Sequence, residues 1–355
     1  MNRNLICVAM AAMMFLSGCA HRQITLTGGE TVSLGDGGYS NFSLTGEFLS
    51  EENAVGMLTF GGSSEGGGYE LVLHNGPVDG SLKTGSLAHV RNLYRSLAQD
   101  GRWTLLELAV RGKNISVKVN GTEVVCYSEP SLPYRLPSYR SMMLGRGRIR
   151  LAATHGTISA RRIKVRHLPD DVVNPYDTLP PVNEAVDEVI RFQQADFPVI
   201  DWHVHLKGGL TAGMAQAKSM NYGINYGVAP NAGAGGVGRM LADDAEVYAY
   251  YEEVKDMPFI PGVQGEGRRW TADFSQEALG IFDYLFTDAM TIVDQKGRLS
   301  RIYRNEEIDR EGLTDEQYMD MLADQTVKIL SNEPADFFAN AFFLPEFGSP
   351  AKFRV

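Results

Sequence analysis

Residues 201–205 carry the two side chains best suited to chemistry in this chain. They follow the apolar run 197–200, which predicts a short buried strand. Side chains two residues apart on a strand point to the same side, so His203 and His205 face one way. Neutral imidazole is a ligand that zinc, iron and manganese sites share. The pair therefore predicts a divalent metal site, and the alternative that stays open is two incidental histidines at a strand end.

Strands and helices alternate after residue 196. Strands are predicted at 199–200, 223–229, 259–265, 283–287 and 335–339, and the main helices at 210–220, 238–254 and 314–331. This alternation predicts a parallel sheet or an α/β barrel. Barrels of this class place their active sites at the carboxyl ends of the strands, which is where the two histidines are expected.

The second half of the chain resembles the PHP superfamily (polymerase and histidinol phosphatase), metal-dependent phosphoesterases built on a distorted α/β barrel. It is also similar to the amidohydrolases, which begin with a strand and the same His-x-His spacing. The resemblance implies that His203 and His205 bind a divalent metal (Zn, Mn or Fe) and that Glu266 is the carboxylate that bridges metals. Asp288, another acid at a predicted strand end, is a further candidate ligand. A water bound to such a metal would attack the substrate.

Several features depart from that family pattern. Residues 229–231 lack the Asp-His pair expected after the second strand, and Asn340 stands where a histidine is usual. No histidine occurs after His205, and residues 196–355 are fewer than the roughly 200–250 that a closed barrel uses. We therefore expect an incomplete barrel, from a truncated form of a longer protein.

The first half, residues 23–168, reads as nearly all β. Short alternating runs such as 41–49, 68–73 and 103–110 each end at turn-forming residues. Asn120 and Gly121 separate two further runs and predict a tight hairpin turn. Many short strands without intervening helices predict a β-sandwich of jelly-roll type.

A strand end within this half gathers polar side chains that suit a sugar ligand. Glu70, His74 and Asn75 offer a carboxylate, an imidazole and an amide to sugar hydroxyls, with Tyr69 or Trp103 as a stacking face. We predict Glu70 and His74 as catalytic residues and the other three as substrate contacts. The other interpretation makes Glu70 a solvated strand residue and Trp103 a core anchor, since a glycosidase normally uses two carboxylates.

The order of these pieces resembles the 3-keto-disaccharide hydrolase family, whose members are concanavalin-like sandwiches frequent in lipoproteins of glycan-degrading bacteria. The matching pieces, in chain order, are residues 68–70, 84–87, 103, 119–121, 147–149 and 162–165. The resemblance implies a carbohydrate or glycoside substrate. Glu70 is kept, whereas Val72 stands where the family has Gln and residues 74–75 stand where it has an acid.

The first residues resemble a bacterial lipoprotein signal. Arg3 is followed by the apolar stretch 5–16, which is too short for a stable membrane helix, and small residues precede Cys19. The resemblance implies that residues 1–18 are removed and that Cys19 is lipidated. An ordinary signal with a coincidental cysteine is the alternative. Cys126 then remains alone, and we predict that it is a packed strand residue.

Composition restricts the function classes further. Acidic residues outnumber basic ones by 43 to 33, which argues against nucleic-acid binding. The remaining ~340 residues are too many for one average domain. We divide the chain into a signal (1–18), a sandwich (19–168), a linker and helix (169–195) and a PHP-like domain (196–355).

The sequence thus predicts a lipid-anchored protein of the bacterial cell envelope, either outer-membrane or periplasmic. Its sandwich would hydrolyse glycans or glycosides, and a metal-dependent hydrolase domain would be attached to it. The alternative is a carbohydrate-binding sandwich joined to an inactive PHP-like remnant.

Overall fold

The structure, a computed structural model, describes residues 23–63, 66–171, 183–236, 238–341 and 343–348. The chain forms two compact units. The first comprises Met1–Ile200 and Ala217–Asn225, and the second comprises Asp201–Gln216 and Tyr226–Val355. Cys19 and most of the predicted linker lie outside the described residues.

Antiparallel strands form most of the first unit. In chain order they are β1 (Ile24–Thr27), β2 (Thr31–Tyr39), β3 (Phe42–Ser50), β4 (Val55–Ser63), β5 (Gly66–Leu73), β6 (Thr104–Arg111), β7 (Asn114–Val119), β8 (Thr122–Ser128), β9 (Gly147–His155) and β10 (Thr157–His167). One sheet has the order β1-β10-β3-β6-β7-β8, and the other has the order β2-β9-β4-β5. A 3₁₀ turn lies at Pro137–Tyr139, and helix α1 spans Glu188–Gln194. The predicted β-sandwich is therefore confirmed.

The sandwich core follows from the alternation along each strand. In β3 every second residue is buried, and Phe42 of this strand contacts Phe60 of β4 in the other sheet, with ring centroids 5.9 Å apart. Side chains on the two inner faces therefore interdigitate, as expected for two stacked sheets. The turn between β7 and β8 has φ of 51° at Asn120 and 84° at Gly121, as a primed hairpin turn requires.

The remaining elements alternate between strand and helix. In chain order they are β11 (Ile200–Val204), α2 (Ala212–Tyr222), β12 (Asn225–Val228), β13 (Asn231–Gly233), β14 (Met240–Leu241), α3 (Asp244–Val254), β15 (Ile260–Glu266), α4 (Trp270–Asp273), α5 (Gln276–Leu279), β16 (Tyr284–Thr287), β17 (Thr291–Val293), β18 (Leu299–Arg301), a 3₁₀ turn (Asn305–Glu307), α6 (Asp315–Asn332) and β19 (Phe337–Phe338). Helix α6 begins with a capping box at Thr314 and Gln317.

The second unit contains a parallel sheet. Strand β15 pairs with β12 and β13 on one side and with β16 on the other, and β16 pairs in turn with β19. All of these pairings are parallel, and the path β11, β12, β15, β16, β19 across the sheet runs in chain order. This is the arrangement of part of an α/β barrel, and all five predicted strands are present. The hairpin β17–β18 was not predicted.

Within the described residues, no helix is long and apolar enough to cross a membrane.

Candidate functional site

His203 and His205 converge at the end of β11. Their Nε2 atoms lie 3.0 Å apart, and the His203 ring packs edge-on against Phe286. The Nδ1 atom of His205 lies 2.7 Å from the carbonyl oxygen of Ala229. Because a carbonyl only accepts hydrogen bonds, Nδ1 of His205 carries the proton, and Nε2 of the neutral ring keeps its lone pair.

Acid and amide side chains lie at the ends of the neighbouring strands. Gln264 Nε2 donates to Glu266 Oε1 and to Asp288 Oδ2, at 3.1 Å each. Asn340, just after β19, donates from Nδ2 to the same Oδ2 atom of Asp288 at 2.9 Å. The side chains of Gln264, Glu266 and Asp288 are all buried. Four elements of the parallel sheet thus bring polar groups to their carboxyl ends, where barrels of this class hold their active sites.

Burial sets the protonation of this cluster. It lowers the pKa of His203 and of His205, with the nearby Asp288 carboxylate opposing the effect at His203. Burial, together with the charge of Asp288, raises the pKa of Glu266 to about 7. Both imidazoles are therefore neutral near pH 7, while Glu266 takes up or releases a proton in that range.

The donor types in this cluster are ones that divalent ions use. Two neutral imidazoles and a carboxylate suit zinc, manganese and iron. Glu266 Oε2 is buried without a hydrogen-bond partner among the described residues, and a cation would satisfy that acceptor. Among the described residues, no group of three or more His, Cys, Asp or Glu side chains is arranged to hold a metal. The Nε2 group of Gln264 lies between the carboxylates of Glu266 and Asp288 and donates a hydrogen bond to each.

Gln264 is the residue of this cluster that the sequence analysis missed. It lies two positions before Glu266 on β15, just as His203 lies two positions before His205 at the end of β11. The period-two rule that paired the histidines also places Gln264 and Glu266 on one side of their strand. The two-residue spacing of Gln264 and Glu266 could therefore have identified Gln264 from the sequence.

Tyr69 is wrongly predicted as a stacking face. Its side chain has no exposed surface, because β5 turns it into the sandwich core. The Tyr69 hydroxyl donates to Glu129 Oε2 at 2.6 Å and accepts from Arg135 at 2.8 Å. These bonds make it part of a buried network.

Asn75 is also wrongly predicted as a sugar contact. Only 3% of the residue is exposed. Its Nδ2 donates to Asp100 at 2.9 Å, and its Oδ1 accepts from the hydroxyls of Thr84 and Ser96 at 2.7 and 2.8 Å. The side-chain amide of Asn75 therefore makes its hydrogen bonds within the sandwich.

The other predicted residues of the sandwich lie on different sheets. Glu70 is exposed on β5, and His74 follows that strand half-buried, with Nδ1 3.1 Å from the carbonyl oxygen of Ala54. Trp103 precedes β6 of the six-stranded sheet, where the Arg161 guanidinium covers its ring at 4.0 Å. Because β5 and β6 belong to different sheets, and stacked sheets are about 10 Å apart, the fold separates Glu70 from Trp103.

Comparison with known families agrees with the fold of the first unit. Residues 17–166 match the model of the 3-keto-alpha-glucoside-1,2-lyase-like domain. These residues form a 3-keto-disaccharide hydrolase-like domain. The structure describes this domain from residue 23, and Glu70, His74 and Trp103 all belong to it.

Solved structures similar to this chain include several carbohydrate-related proteins. A candidate glycosyl hydrolase from Parabacteroides distasonis is 11% identical, with a TM-score of 0.35, and the match covers 41% of this chain and 81% of that one. The carbohydrate binding module CBM66 from Bacillus subtilis is 9% identical, with a TM-score of 0.27 and coverage of 42% and 84%. Sheep galectin-11, in complex with glycerol, is 14% identical, with a TM-score of 0.24 and coverage of 42% and 100%. No curated protein matches the chain.

Proposed function

We propose that this protein is a carbohydrate-active hydrolase with two functional parts. The 3-keto-disaccharide hydrolase-like domain binds a glycan or glycoside, and the second unit carries a metal-dependent hydrolase site of the PHP or amidohydrolase kind. The observation that carries the second part is the 3.0 Å approach of the two imidazole Nε2 atoms beside two buried carboxylates. The family match of residues 17–166 supports the first part.

Each polar side chain of this cluster has a role under this proposal. His203 and His205 would hold the ion, and Glu266, whose Oε2 has no hydrogen-bond partner among the described residues, would be the third ligand. Such an ion would lower the pKa of a bound water and so supply a nucleophile near neutral pH. Asn340 fixes Asp288 by a hydrogen bond, and Gln264 fixes both carboxylates.

Metal analysis of the purified protein tests the second part. We expect a stoichiometric divalent ion in the natural protein and its loss when His203→Ala and His205→Ala are combined. Replacing the exposed His155 and His167 of the sandwich by Ala is the matched control, and it should leave the metal content unchanged. Equal metal content in all three proteins would refute the metal site.

Hydrolysis by the sandwich is tested separately. Glu70 is the exposed carboxylate of this domain that the sequence analysis predicts as catalytic. With 3-keto-glycosides as substrates, Glu70→Gln should lower the turnover by at least the hundredfold typical of a lost acid or base. Unchanged turnover would exclude Glu70 as a catalytic residue.

A non-catalytic protein is the second candidate, and two observations favour it. The described residues present no three-ligand metal group, and two of the predicted sugar contacts, Tyr69 and Asn75, are buried. In this case the sandwich binds carbohydrate and the second unit is an inactive remnant. Glycan binding without turnover of 3-keto-glycosides or of p-nitrophenyl phosphate, in a protein free of metal, would establish this candidate over the first.

A further inference from the structure

The outer face of the six-stranded sheet contains a trough of about 450 Å³. Its floor crosses three strands through small side chains. Ser43 on β3 lies opposite Ala109 on β6, and Ala109 lies opposite Ser116 on β7. Glu107 and Lys118, which are also opposite each other, line the trough next to this row. The trough exists because short side chains form a row between longer ones.

The dimensions of the trough suit an extended ligand. Arg111 lines it on the other side of the floor, four residues along β6 from Glu107. This spacing separates the two sides by about 13 Å along the strand. Its lining residues come from β3, β6, β7 and β8, so the trough is about 14 Å long across the strands. A short chain of sugar rings fits these dimensions.

Ser116 presents a hydroxyl to the floor of the trough. Only 9% of this residue is exposed, and it lines the trough. A hydroxyl both donates and accepts, so it can form hydrogen bonds with a ligand hydroxyl that lies on the floor.

The charges of the lining indicate which kind of ligand fits. The acids Glu107 and Glu123 are matched in number by the cations Arg111 and Lys118, so the lining is neutral overall. The two carboxylates would repel an anionic ligand, and the two cations would repel a cationic ligand. Sugar hydroxyls accept from the cations and donate to the carboxylates, which uses both kinds of side chain.

We propose that this trough binds a neutral oligosaccharide along the outer face of the six-stranded sheet. The proposal rests on the carbohydrate function proposed above and assigns its binding site to the sheet opposite Glu70. Glu107 accepts hydrogen bonds from ligand hydroxyls, Lys118 and Arg111 donate to them, and Ser116 contacts the ring that lies on the floor. No bond in the ligand is broken at this site.

Binding measurements on the full chain test this site. The probes are tri- to hexasaccharides of neutral glucans, mannans and xylans, with oligosaccharides of uronic acids for comparison. Glu107→Gln should weaken binding about tenfold, because it removes a charged acceptor. Ser116→Leu should weaken it at least as much by filling the floor. Glu51→Gln, at an exposed turn, and Ser33→Leu, on the four-stranded sheet, are the matched controls and should bind as the natural protein does.

The possible outcomes separate this site from the carbohydrate function as a whole. Neutral oligosaccharide binding that is weakened about tenfold in Glu107→Gln and unchanged in Glu51→Gln supports the trough. If Glu107→Gln and Ser116→Leu both bind like the natural protein, the trough is overturned while the carbohydrate function stands. If the protein binds only uronic-acid oligosaccharides, the proposal that the ligand is neutral is overturned. Absence of binding to every probe overturns the trough, and the turnover of 3-keto-glycosides then decides the carbohydrate function separately.

Discussion

Glu266 and Asp288 share Gln264 as a hydrogen-bond donor, yet their environments differ. Asp288 accepts three hydrogen bonds, from Gln264, Asn340 and the backbone N–H of Met290. Among the described residues Glu266 accepts from Gln264, and its other oxygen is buried without a hydrogen-bond partner there. A buried acceptor without a donor is costly, whereas Asp288 is already satisfied by the protein. Glu266 is therefore the better candidate for a third metal ligand.

Cys126 should be unreactive towards alkylating reagents in the folded protein. Burial on β8 raises the pKa of its thiol to about 11, and the thiolate is the reactive form. We expect no modification of Cys126 by iodoacetamide at pH 8, and modification only as the pH approaches 11 or after unfolding. Mass spectrometry of the peptide that contains Cys126 measures this. Rapid labelling at pH 8 in the folded protein would contradict the packed-strand interpretation.

Residue roles were harder to predict than residue positions. The period-two rule placed His203 and His205 on one side of β11, and their Nε2 atoms do converge. The same rule places Tyr69 and Glu70 on opposite sides of β5, so both could not contact one ligand. The sequence does not say which side of an edge strand faces the core. The structure turns Tyr69 inward and leaves Glu70 exposed.

The β7–β8 hairpin depends on a glycine with positive φ. Gly121 has φ of 84°, which L-residues with a side chain adopt at a cost of about 1–2 kcal/mol. Gly121→Ala should therefore lower the free energy of unfolding by about that amount. Gly213→Ala in α2 is the control, because an added Cβ there meets nothing within 4 Å and a helix favours Ala. Urea unfolding that ranks the two variants in the reverse order would contradict this account of the turn.

A buried network attaches the segment that precedes α1 to the sandwich. Arg135 donates to Glu184 Oε2 at 2.8 Å and to the hydroxyls of Tyr69 and Tyr127 at 2.8 and 3.1 Å. Glu129 accepts from Tyr69 and, at 2.5 Å, from Lys113. Two buried carboxylates are thus balanced by one buried and one exposed cation. This charge balance lets the network hold the segment around Glu184 against the sandwich.

Replacement of Arg135 should disrupt this network. Arg135→Met leaves Glu184 buried without its cation, and loss of one partner from a buried pair costs about 3–5 kcal/mol. Arg140→Met, at an exposed position of the loop that carries Arg135, is the control and should change stability little. The free energy of unfolding in urea distinguishes them. Equal stability of the two variants would show that the network does not hold the segment.

Across the whole molecule, local patterns predicted the elements but not the long-range polar contacts. Alternating hydrophobic residues revealed the strands of the sandwich, and the change to a strand–helix alternation revealed the parallel sheet. The Arg135 network joins residues far apart in the chain, and the trough depends on the register of four strands. Neither has a local signature, because each arises only once the sheets are assembled. Both therefore had to be found in the structure.

Attachment to a membrane, if the lipoprotein signal is correct, must come from lipid on Cys19. The chain carries a net charge of −10, so its charge does not attract it to an anionic membrane surface. Acyl chains stabilise anchoring by about 0.8 kcal/mol for each buried CH₂, and two chains suffice for stable attachment. We propose that a diacylglyceryl group on Cys19 supplies them.

Metabolic labelling in a bacterial host tests the anchor. Radiolabelled palmitate should enter the natural protein, and the protein should sediment with the membranes. Cys19→Ser should abolish the label and move the protein to the soluble fraction. Cys126→Ser is the matched control and should keep both properties, because this thiol is packed in the sandwich. Label that persists in Cys19→Ser, or a soluble natural protein, would exclude the anchor, leaving the carbohydrate and metal proposals untouched.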